Sequence, residues 1–285
     1  MLKPEPIGLT AALWGEGPIW HDDHLLWVDI EGHTVHRYDP KTGTEMDFPV
    51  GERVGTVVPS ADGRLVIAGD TGFHFLDPAS GKVTPIADPE PDIADNRFND
   101  GKCDPSGRFW AGTISLTKKE GSAALYRLDP DLSVHKMFSG VTTSNGIVWS
   151  ADAETMFYID TPRREVLAFD FDNQTGAIAN CRTVIDTGHI DASPDGMAID
   201  ANGNLWVAFC HGAAVRCYDP SSGAELECID FPVVEVTACA FGGDDLGDLY
   251  VTTGKHKTLE EADAGRLFVV RPGVTGVKSS VFAGS

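Results

Sequence analysis

Short apolar stretches recur along the whole chain at a regular interval. Six of them share one pattern, a run of large apolar residues that begins or ends at polar or turn-forming ones, and they are LLWVDI (25–30), GRLVIAG (63–69), GRFWAGT (107–113), MFYIDT (156–161), NLWVAF (204–209) and DLYVTT (248–253). Their marker residues, Trp27, Val66, Trp110, Tyr158, Trp206 and Tyr250, are separated by 39, 44, 48, 48 and 44 residues. Runs of this length, rich in β-branched and aromatic residues, predict strands. The chain therefore repeats a strand-containing unit six times.

A second apolar run follows each of these stretches and ends near a turn, as in VHRYDPKTG (35–43), FHFLDPASG (73–81) and VRCYDPSSG (215–223). Asp-Pro, Ser-Gly and Thr-Gly pairs between such runs favour hairpins, and no helical periodicity competes with them. A period of about 40–50 residues with four short strands per unit is typical of a propeller blade. We therefore predict an all-β, six-bladed β-propeller with four-stranded antiparallel blades, formed by residues 1–285 as a single domain. A β-sandwich would not predict the sixfold recurrence. We expect an N-terminal strand near residues 5–13 to close the ring beside Lys278–Ala283.

One position near the start of each innermost strand can be located by counting back eleven residues from the marker residue. The count selects Glu16, Gly55, Asn99, Asp195 and Cys239, and a count of thirteen selects Asn145 in the fourth unit. The starts of innermost strands surround one end of a propeller's central channel, so Glu16, Asn99, Asn145 and Asp195 are predicted to meet there. Two carboxylates and two amide oxygens suit Ca²⁺, Mg²⁺ or Mn²⁺ and also accommodate Fe²⁺ or Zn²⁺. The alternative is that the Asn-Gly and Asp-Gly pairs are ordinary turn residues ahead of strands.

Five segments of the chain resemble signature segments of the SMP-30/gluconolactonase/regucalcin-like family, in the same order. They are GEGPIW (15–20), NRFNDGK (96–102), SNGIVWS (144–150), PDGMAID (194–200) and ACAFGG (238–243). The resemblance implies a six-bladed propeller that binds one catalytic divalent metal and hydrolyses sugar lactones. It implies that Glu16, Asn145 and Asp195 are the metal ligands, that Asp195 is also the catalytic base, and that Arg97 and Asn99 contact the substrate.

The chain departs from this family pattern at one position. Regucalcin-type members carry an additional substrate-side Glu shortly after the AGT segment, and the matching stretch AGTISLTKKEG (111–121) has Thr117 at that spacing, with Glu120 nearby. This difference bears on the substrate range.

Charge and cysteine content narrow the class of partner. The chain carries 43 Asp and Glu against 22 Lys and Arg, a net charge of −21, which disfavours nucleic acid or an anionic membrane as the main partner. No apolar run approaches the roughly 20 residues that cross a bilayer.

The six scattered cysteines are interpreted as reduced thiols, and with no secretion signal near Met1 we expect a cytoplasmic protein. The sequence does not indicate the oligomeric state.

The leading hypothesis is the metal-dependent hydrolysis of an aldonolactone, such as glucono-, xylono- or arabinolactone, with one divalent ion (Ca, Zn, Mn, Mg or Fe) as cofactor. Two alternatives stay open: a promiscuous phosphotriesterase-like hydrolase and a non-enzymatic, metal-binding regucalcin-like propeller. The sequence contains no phosphate-binding GxxxxGK[ST] motif and no GxSxG motif. His211, in the turn CHGAA, is expected on the same face as the inner-strand starts and is a candidate substrate contact.

Overall fold

The computed structural model describes residues 2–285, and these residues form 24 strands and one short 3-10 helix, Thr161–Arg163. The strands are β1 (Glu5–Ile7), β2 (Gly15–His21), β3 (His24–Asp29), β4 (Thr34–Asp39), β5 (Thr44–Pro49), β6 (Val54–Pro59), β7 (Leu65–Gly69), β8 (Gly72–Leu76), β9 (Val83–Ala87), β10 (Asn96–Cys103), β11 (Phe109–Ser115), β12 (Ala123–Leu128), β13 (Val134–Val141), β14 (Ser144–Trp149), β15 (Thr155–Asp160), β16 (Glu165–Asp172), β17 (Ala177–Asp186), β18 (Ser193–Ile199), β19 (Leu205–Cys210), β20 (Ala214–Asp219), β21 (Ala224–Asp230), β22 (Val236–Gly242), β23 (Asp248–Thr253) and β24 (Leu267–Val270). Within residues 2–285, no helix has the length and apolar character needed to span a bilayer.

The strands form six antiparallel sheets of four, and apart from β1, which joins the last sheet, the chain completes one sheet before it begins the next. The six innermost strands, β2, β6, β10, β14, β18 and β22, pack side by side around a central channel. This arrangement is the predicted six-bladed β-propeller. The marker residues all lie in the second strand of a blade, and they are buried.

Asp and Gly shape the turns between the third and fourth strands. Asp39 accepts a hydrogen bond from the backbone N–H of Lys41 (2.8 Å), and Gly43 closes the same turn with φ 70°. The turn after β20 is built in the same way, with Asp219 bonded to the Ser221 N–H (2.8 Å). An Asp side chain that mimics a backbone turn, followed by a residue in the left-handed region, produces a tight reversal. The DPxxG segments therefore fix the hairpins that the sequence predicts.

The core consists of apolar layers between neighbouring blades. Trp110 of the third blade stands 5.9 Å from Trp149 of the fourth, and Trp206 of the fifth stands 5.8 Å from Phe241 of the sixth, measured between ring centroids. Both marker indoles are fully buried, and each donates its N–H to a buried carboxylate, Asp104 or Asp200. Because the indole N–H is satisfied, the large rings fill the wedge between blades without the cost of a buried unpaired donor.

The ring is closed by the N-terminal strand, as predicted, although the predicted partner is wrong. β1 pairs with β24 as the outermost strand of the last blade, with Glu5 opposite Val269 and Ile7 opposite Leu267. The segment Lys278–Ala283 lies elsewhere. Phe282 bridges to Ser60 in the second blade, and the Ala283 N–H donates to the carbonyl of Gly107 in the third. After β24 the chain still contacts the sixth blade at Gly276 and then continues to the second and third blades.

The C-terminal segment crosses the end of the channel at which the innermost strands finish. The Gly276 N–H donates to the Leu246 carbonyl in the sixth blade, and the Phe282 N–H donates to the Pro59 carbonyl in the second. A cavity of about 300 Å³ lies beneath this segment, lined by Lys102, Trp149, Phe241 and residues 277–280. One end of the channel is therefore covered by the chain's own terminus.

Candidate functional site

All six innermost strands carry a β-bulge at an equivalent position near their start. In β2 the bulge directly follows Glu16. In the other five strands, taken in chain order, the bulge contains Gly55, Asn99 with Asp100, Gly146, Asp195 with Gly196, and Thr237. A bulge bends a strand and changes the direction of its side chains, and bulges are common beside active sites. In the last blade the bulge lies two residues before Cys239, so the residue count from the marker is wrong there. The Cys239 thiol instead contacts the Trp206 carbonyl at 3.2 Å.

Glu16 and Asp195 bring two carboxylates into the same buried region. They are 4% and 6% exposed, so little solvent reaches either group. Burial raises the pKa of Glu16, and the nearby Asp100 carboxylate raises it further. Burial likewise raises the pKa of Asp195 well above its usual value, with Glu16 as the next cause. Each carboxylate therefore disfavours ionisation of the other unless positive charge is supplied.

A chain of hydrogen bonds connects the other three predicted site residues. Arg97 donates from Nη1 to Asn99 Oδ1 (2.9 Å), and Asn99 donates from Nδ2 to Asn145 Oδ1 (3.0 Å). Asn145 in turn donates from Nδ2 to Thr161 Oγ1 (2.7 Å). The Asn145 oxygen consequently faces Asn99 and retains a free lone pair. Both N–H donors of Asn99 are engaged, one with Asn145 and one with the Ser144 carbonyl (2.7 Å), while its oxygen keeps one lone pair.

The region contains a third carboxylate that sequence reasoning missed. Asp100 shares the bulge of β10 with Asn99 and is 4% exposed. Its Oδ1 accepts the Gly101 N–H (2.7 Å), its Oδ2 has no hydrogen-bond partner among residues 2–285, and burial raises its pKa. The one available signal was the Asp that directly follows Asn99 in NRFND. Lys102 lies close enough to Asp100 and Glu16 to favour their charged forms, while its ammonium donates to the Met197 carbonyl.

These residues fit a divalent cation. Glu16, Asn145 and Asp195 offer oxygen donors, the ligands of hard cations. The buried oxygen of Asp100 that no donor satisfies, and the raised pKa values of Glu16 and Asp195, both indicate unbalanced negative charge. A bound cation would remove the penalty of holding these carboxylates ionised.

The chain matches a protein-family model, the SMP-30/gluconolactonase/LRE-like region, over residues 14–255. This chain belongs to that family. It is 40% identical over 280 residues to regucalcin of Danio rerio, covering 95% of each chain. It is 37% identical over 282 residues to YvrE of Bacillus subtilis, provisionally named a sugar lactone lactonase, covering 96% of this chain and 97% of that one.

Solved structures of the family show the same propeller. A calcium-binding regucalcin from Agrobacterium tumefaciens superposes with a TM-score of 0.91 at 27% identity, covering 96% of this chain and 95% of that one. The SMP-30/gluconolactonase/LRE-like family is therefore supported by both sequence and fold, and the resemblance carried by the five signature segments is confirmed.

The position at which this family member departs from regucalcin-type sequences lies in an exposed loop. Thr117 donates from Oγ1 to Asp95 Oδ2 (2.6 Å), and Ser115 Oγ donates to the same oxygen (2.7 Å). These hydrogen bonds lower the pKa of Asp95. The hydroxyl of Thr117 is thus held by a neighbouring carboxylate at the position where the resemblance to regucalcin-type sequences predicts a Glu.

Proposed function

We propose that this protein is a divalent-metal-dependent hydrolase of a sugar lactone, with an aldonolactone as the substrate. The proposal rests on one observation: Glu16, Asn145 and Asp195 all lie at the bulges of innermost strands, in a buried and electrostatically unbalanced cluster, with Arg97 and Asn99 beside them. The chain belongs to a family whose description includes gluconolactonase, and this membership supports lactone hydrolysis as the reaction class.

Glu16, Asn145 and Asp195 would hold the cation. When bound, a divalent ion polarises a carbonyl and stabilises negative charge on its oxygen, which is the charge that develops when water attacks a lactone. The regucalcin relative described as calcium-binding supports a metal in this fold, and the all-oxygen donor set is consistent with that description.

Asp195 serves as the general base in this proposal. Its carboxylate takes a proton from the attacking water as the new C–O bond forms, and it returns that proton to the ring oxygen as the ring C–O bond breaks. Water and lactone thus become one hydroxy acid, and the carboxylate is regenerated. Burial raises the pKa of Asp195, and a carboxylate with a raised pKa is a stronger base.

Arg97 and Asn99 orient the substrate. Arg97 is buried, and its Nη1 is held by the Phe98 carbonyl (2.7 Å) and by Asn99. Its Nε has no partner, so it keeps a donor available for a hydroxyl of the substrate. Burial also lowers the pKa of Arg97 to about 10, and the guanidinium remains charged near neutral pH. Directed donors of this kind suit a neutral polyol.

The decisive experiment is an assay of the purified protein against a panel of aldonolactones, before and after chelation. We expect chelation to abolish hydrolysis and several hard divalent ions to restore it, because all the proposed ligands are oxygen atoms. Full activity in protein shown by elemental analysis to be metal-free would contradict the proposal. Turnover of phosphotriesters without turnover of lactones would favour the phosphotriesterase alternative. Metal binding without turnover of either would favour a binding protein.

A further inference from the structure

A second cluster of metal-ligating side chains adjoins the proposed active site and takes no part in the proposed reaction. Cys210 ends β19, His211 follows it, and Glu235 directly precedes β22 of the next blade. The Cys210 Sγ lies 3.0 Å from Glu235 Oε2, and His211 Nδ1 lies 2.9 Å from the same carboxylate. One ligand atom from each residue lies within 4.8 Å of the other two. The three groups therefore already converge on one point.

Glu235 is a buried carboxylate without a permanent positive charge beside it. It is 1% exposed, and among residues 2–285 its only ion-pair partners are His211 and His256. It accepts hydrogen bonds from the His211 backbone N–H (3.1 Å) and from the Cys210 thiol. A buried carboxylate paired with neither Lys nor Arg is costly in its ionised form. A cation bound at this point would remove that cost.

We propose that Cys210, His211 and Glu235 form a second metal site that takes Zn²⁺ or a similar divalent ion. A thiolate, an imidazole and a carboxylate are the ligands that zinc prefers, whereas Ca²⁺ and Mg²⁺ avoid sulfur. A thiolate and a carboxylate together balance the two charges of the ion. Three protein ligands leave one tetrahedral position open, as in zinc sites that accept water or a small ligand. The His211 side chain is 58% exposed, so the site has a path to solvent.

His256 lies beside the Glu235 carboxylate at the edge of this site. Its Nδ1 accepts the backbone N–H groups of Thr258 and Leu259, both at 3.2 Å. The ring proton is thereby assigned to Nε2, which lies 3.8 Å from Glu235 Oε1. This separation is longer than a hydrogen bond, so His256 contributes to the electrostatic surroundings of Glu235 and does not orient its carboxylate.

Metal binding at this site has a defined proton balance. The Cys210 thiol loses its proton to solvent. The proton that His211 Nδ1 donates to Glu235 is also released while Nε2 carries the ring's one remaining proton, so that Nδ1 coordinates through its lone pair and Glu235 binds as the carboxylate. Cys210 also lies close to Asp195, so the second ion would lie beside the carboxylates of the proposed active site. The two sites nevertheless differ in chemistry, because the ligands of the first site, Glu16, Asn145 and Asp195, contain no sulfur.

Cobalt(II) substitution tests the proposal, since a thiolate bound to Co²⁺ gives a charge-transfer absorption that an all-oxygen site cannot give. The full chain should carry Cys181→Ser and Cys228→Ser, because these two exposed thiols could otherwise bind the ion. We expect the band to appear on addition of Co²⁺ and to be displaced by Zn²⁺. Cys210→Ser should abolish it and lower the zinc content by one ion per chain. Cys217→Ser, which removes another buried thiol, is the matched control and should retain the band.

Two further variants keep the test decisive. Glu235→Gln preserves size and the Cys210 thiol, so it should lose the band even if Cys210→Ser fails to fold. Glu16→Gln removes a proposed ligand of the first metal site and should retain the band. The result for the second site is thereby separated from the proposed lactonase activity. The absence of a band in the parent protein, or a band unchanged in Cys210→Ser or Glu235→Gln, would overturn the second site.

Discussion

The orientation of the Asn145 amide determines what the proposed metal site of Glu16, Asn145 and Asp195 can bind. Asn145 Nδ2 donates to Thr161 Oγ1, and Thr161 Oγ1 donates to the Pro194 carbonyl (2.9 Å). This sequence of donors fixes the amide so that its oxygen, and not its nitrogen, faces the cluster. The sequence predicted Asn145 from its repeat position. It could not predict Thr161, which reaches the site from the 3-10 helix after β15.

Arg97 is expected to affect substrate binding more than metal binding. Arg97→Ala removes a donor to the substrate, which costs on the order of 1 kcal/mol, or up to about 3 if the charged group is well desolvated. Metal affinity should be nearly unchanged, because Asn145 remains held by Thr161. Kinetics on a polyhydroxylated lactone and on a simple lactone without ring hydroxyls, together with a metal titration, check this. An equal loss on both lactones would contradict the assignment.

Thr161→Val provides the matched contrast to Arg97→Ala. It keeps the shape of the side chain but removes the hydroxyl that orients Asn145, so metal affinity should fall about 10- to 100-fold, as for other losses of support to a ligand. In a metal titration, Thr161→Val should show the larger loss of affinity. In a substrate titration, Arg97→Ala should show the larger loss.

Asp195→Asn keeps the size of the side chain and one oxygen while removing the charge and the base. Lactone turnover should fall by at least roughly 10²-fold, the lower range for loss of a general base. The fold should persist, because removing the charge of Asp195 relieves its repulsion with the buried carboxylates of Glu16 and Asp100. Turnover measured on protein whose circular dichroism matches the parent checks both parts. Parent-level turnover would refute both roles assigned to Asp195.

The residues that sequence reasoning missed have a common physical cause. Asp100 has no counterpart at the repeat-equivalent position, because the bulge of β10 places it beside Asn99 and thereby turns it into the buried region. Cys210 and Glu235 belong to different blades and meet where an isolated β-bridge joins those blades. Side chains that converge through a bulge or across blades leave no local pattern in the sequence.

At the scale of the element, the strand repeat was predictable and its irregularities were not. Alternating apolar runs and DPxxG turns specify the hairpins locally, which is why the six blades could be identified. The bulges depend on how closely neighbouring inner strands approach. A Cβ on Gly196 would lie 2.3 Å from the Ala238 Cβ of the next inner strand, and a Cβ on Gly55 would lie 2.4 Å from the Asn99 carbonyl oxygen. Glycine at these bulges permits the close approach that brings the site together.

Gly196→Ala should therefore disturb the site through the backbone. The added methyl group overlaps Ala238 and has no flexible neighbour to displace, so we expect a loss of about 1–3 kcal/mol in the free energy of unfolding. Because Asp195 is the preceding residue, lactone turnover should fall as well. Chemical denaturation and turnover of the same preparation provide the measurement.

Gly188→Ala is the control for this substitution, because Gly188 lies in an exposed turn where an added Cβ meets one side-chain oxygen, Asp186 Oδ1, at 3.0 Å. It should change stability by no more than about 0.5 kcal/mol. A Gly196→Ala protein as stable and active as this control would show that the close packing of the bulge is not required.

At the scale of the whole molecule, ring closure was predicted only in part. The N-terminal strand was expected, but both termini lie far in sequence from the strands they contact, and such long-range pairing has no local signal. The structure closes the ring in two places. β1 completes the last blade at its outer edge, and the C-terminal segment joins the sixth blade to the second and third across the channel end opposite the proposed active site.

Phe282 should carry much of the stability of this second closure. It is fully buried in the largest apolar cluster, 6.4 Å from the Phe75 ring, and its backbone bonds with Pro59 and Ala61 on either side. Phe282→Ala should lower the free energy of unfolding by about 3–5 kcal/mol, the usual cost of truncating a buried Phe. Val277→Ala, in the same segment but 37% exposed, should cost no more than about 0.5 kcal/mol. Turnover per folded molecule should be unchanged in both variants, since the segment lies at the opposite end of the channel from Asp195. Denaturation curves together with turnover corrected for the folded fraction test this separation, and a loss of specific activity in Phe282→Ala would show that the two ends of the channel are coupled.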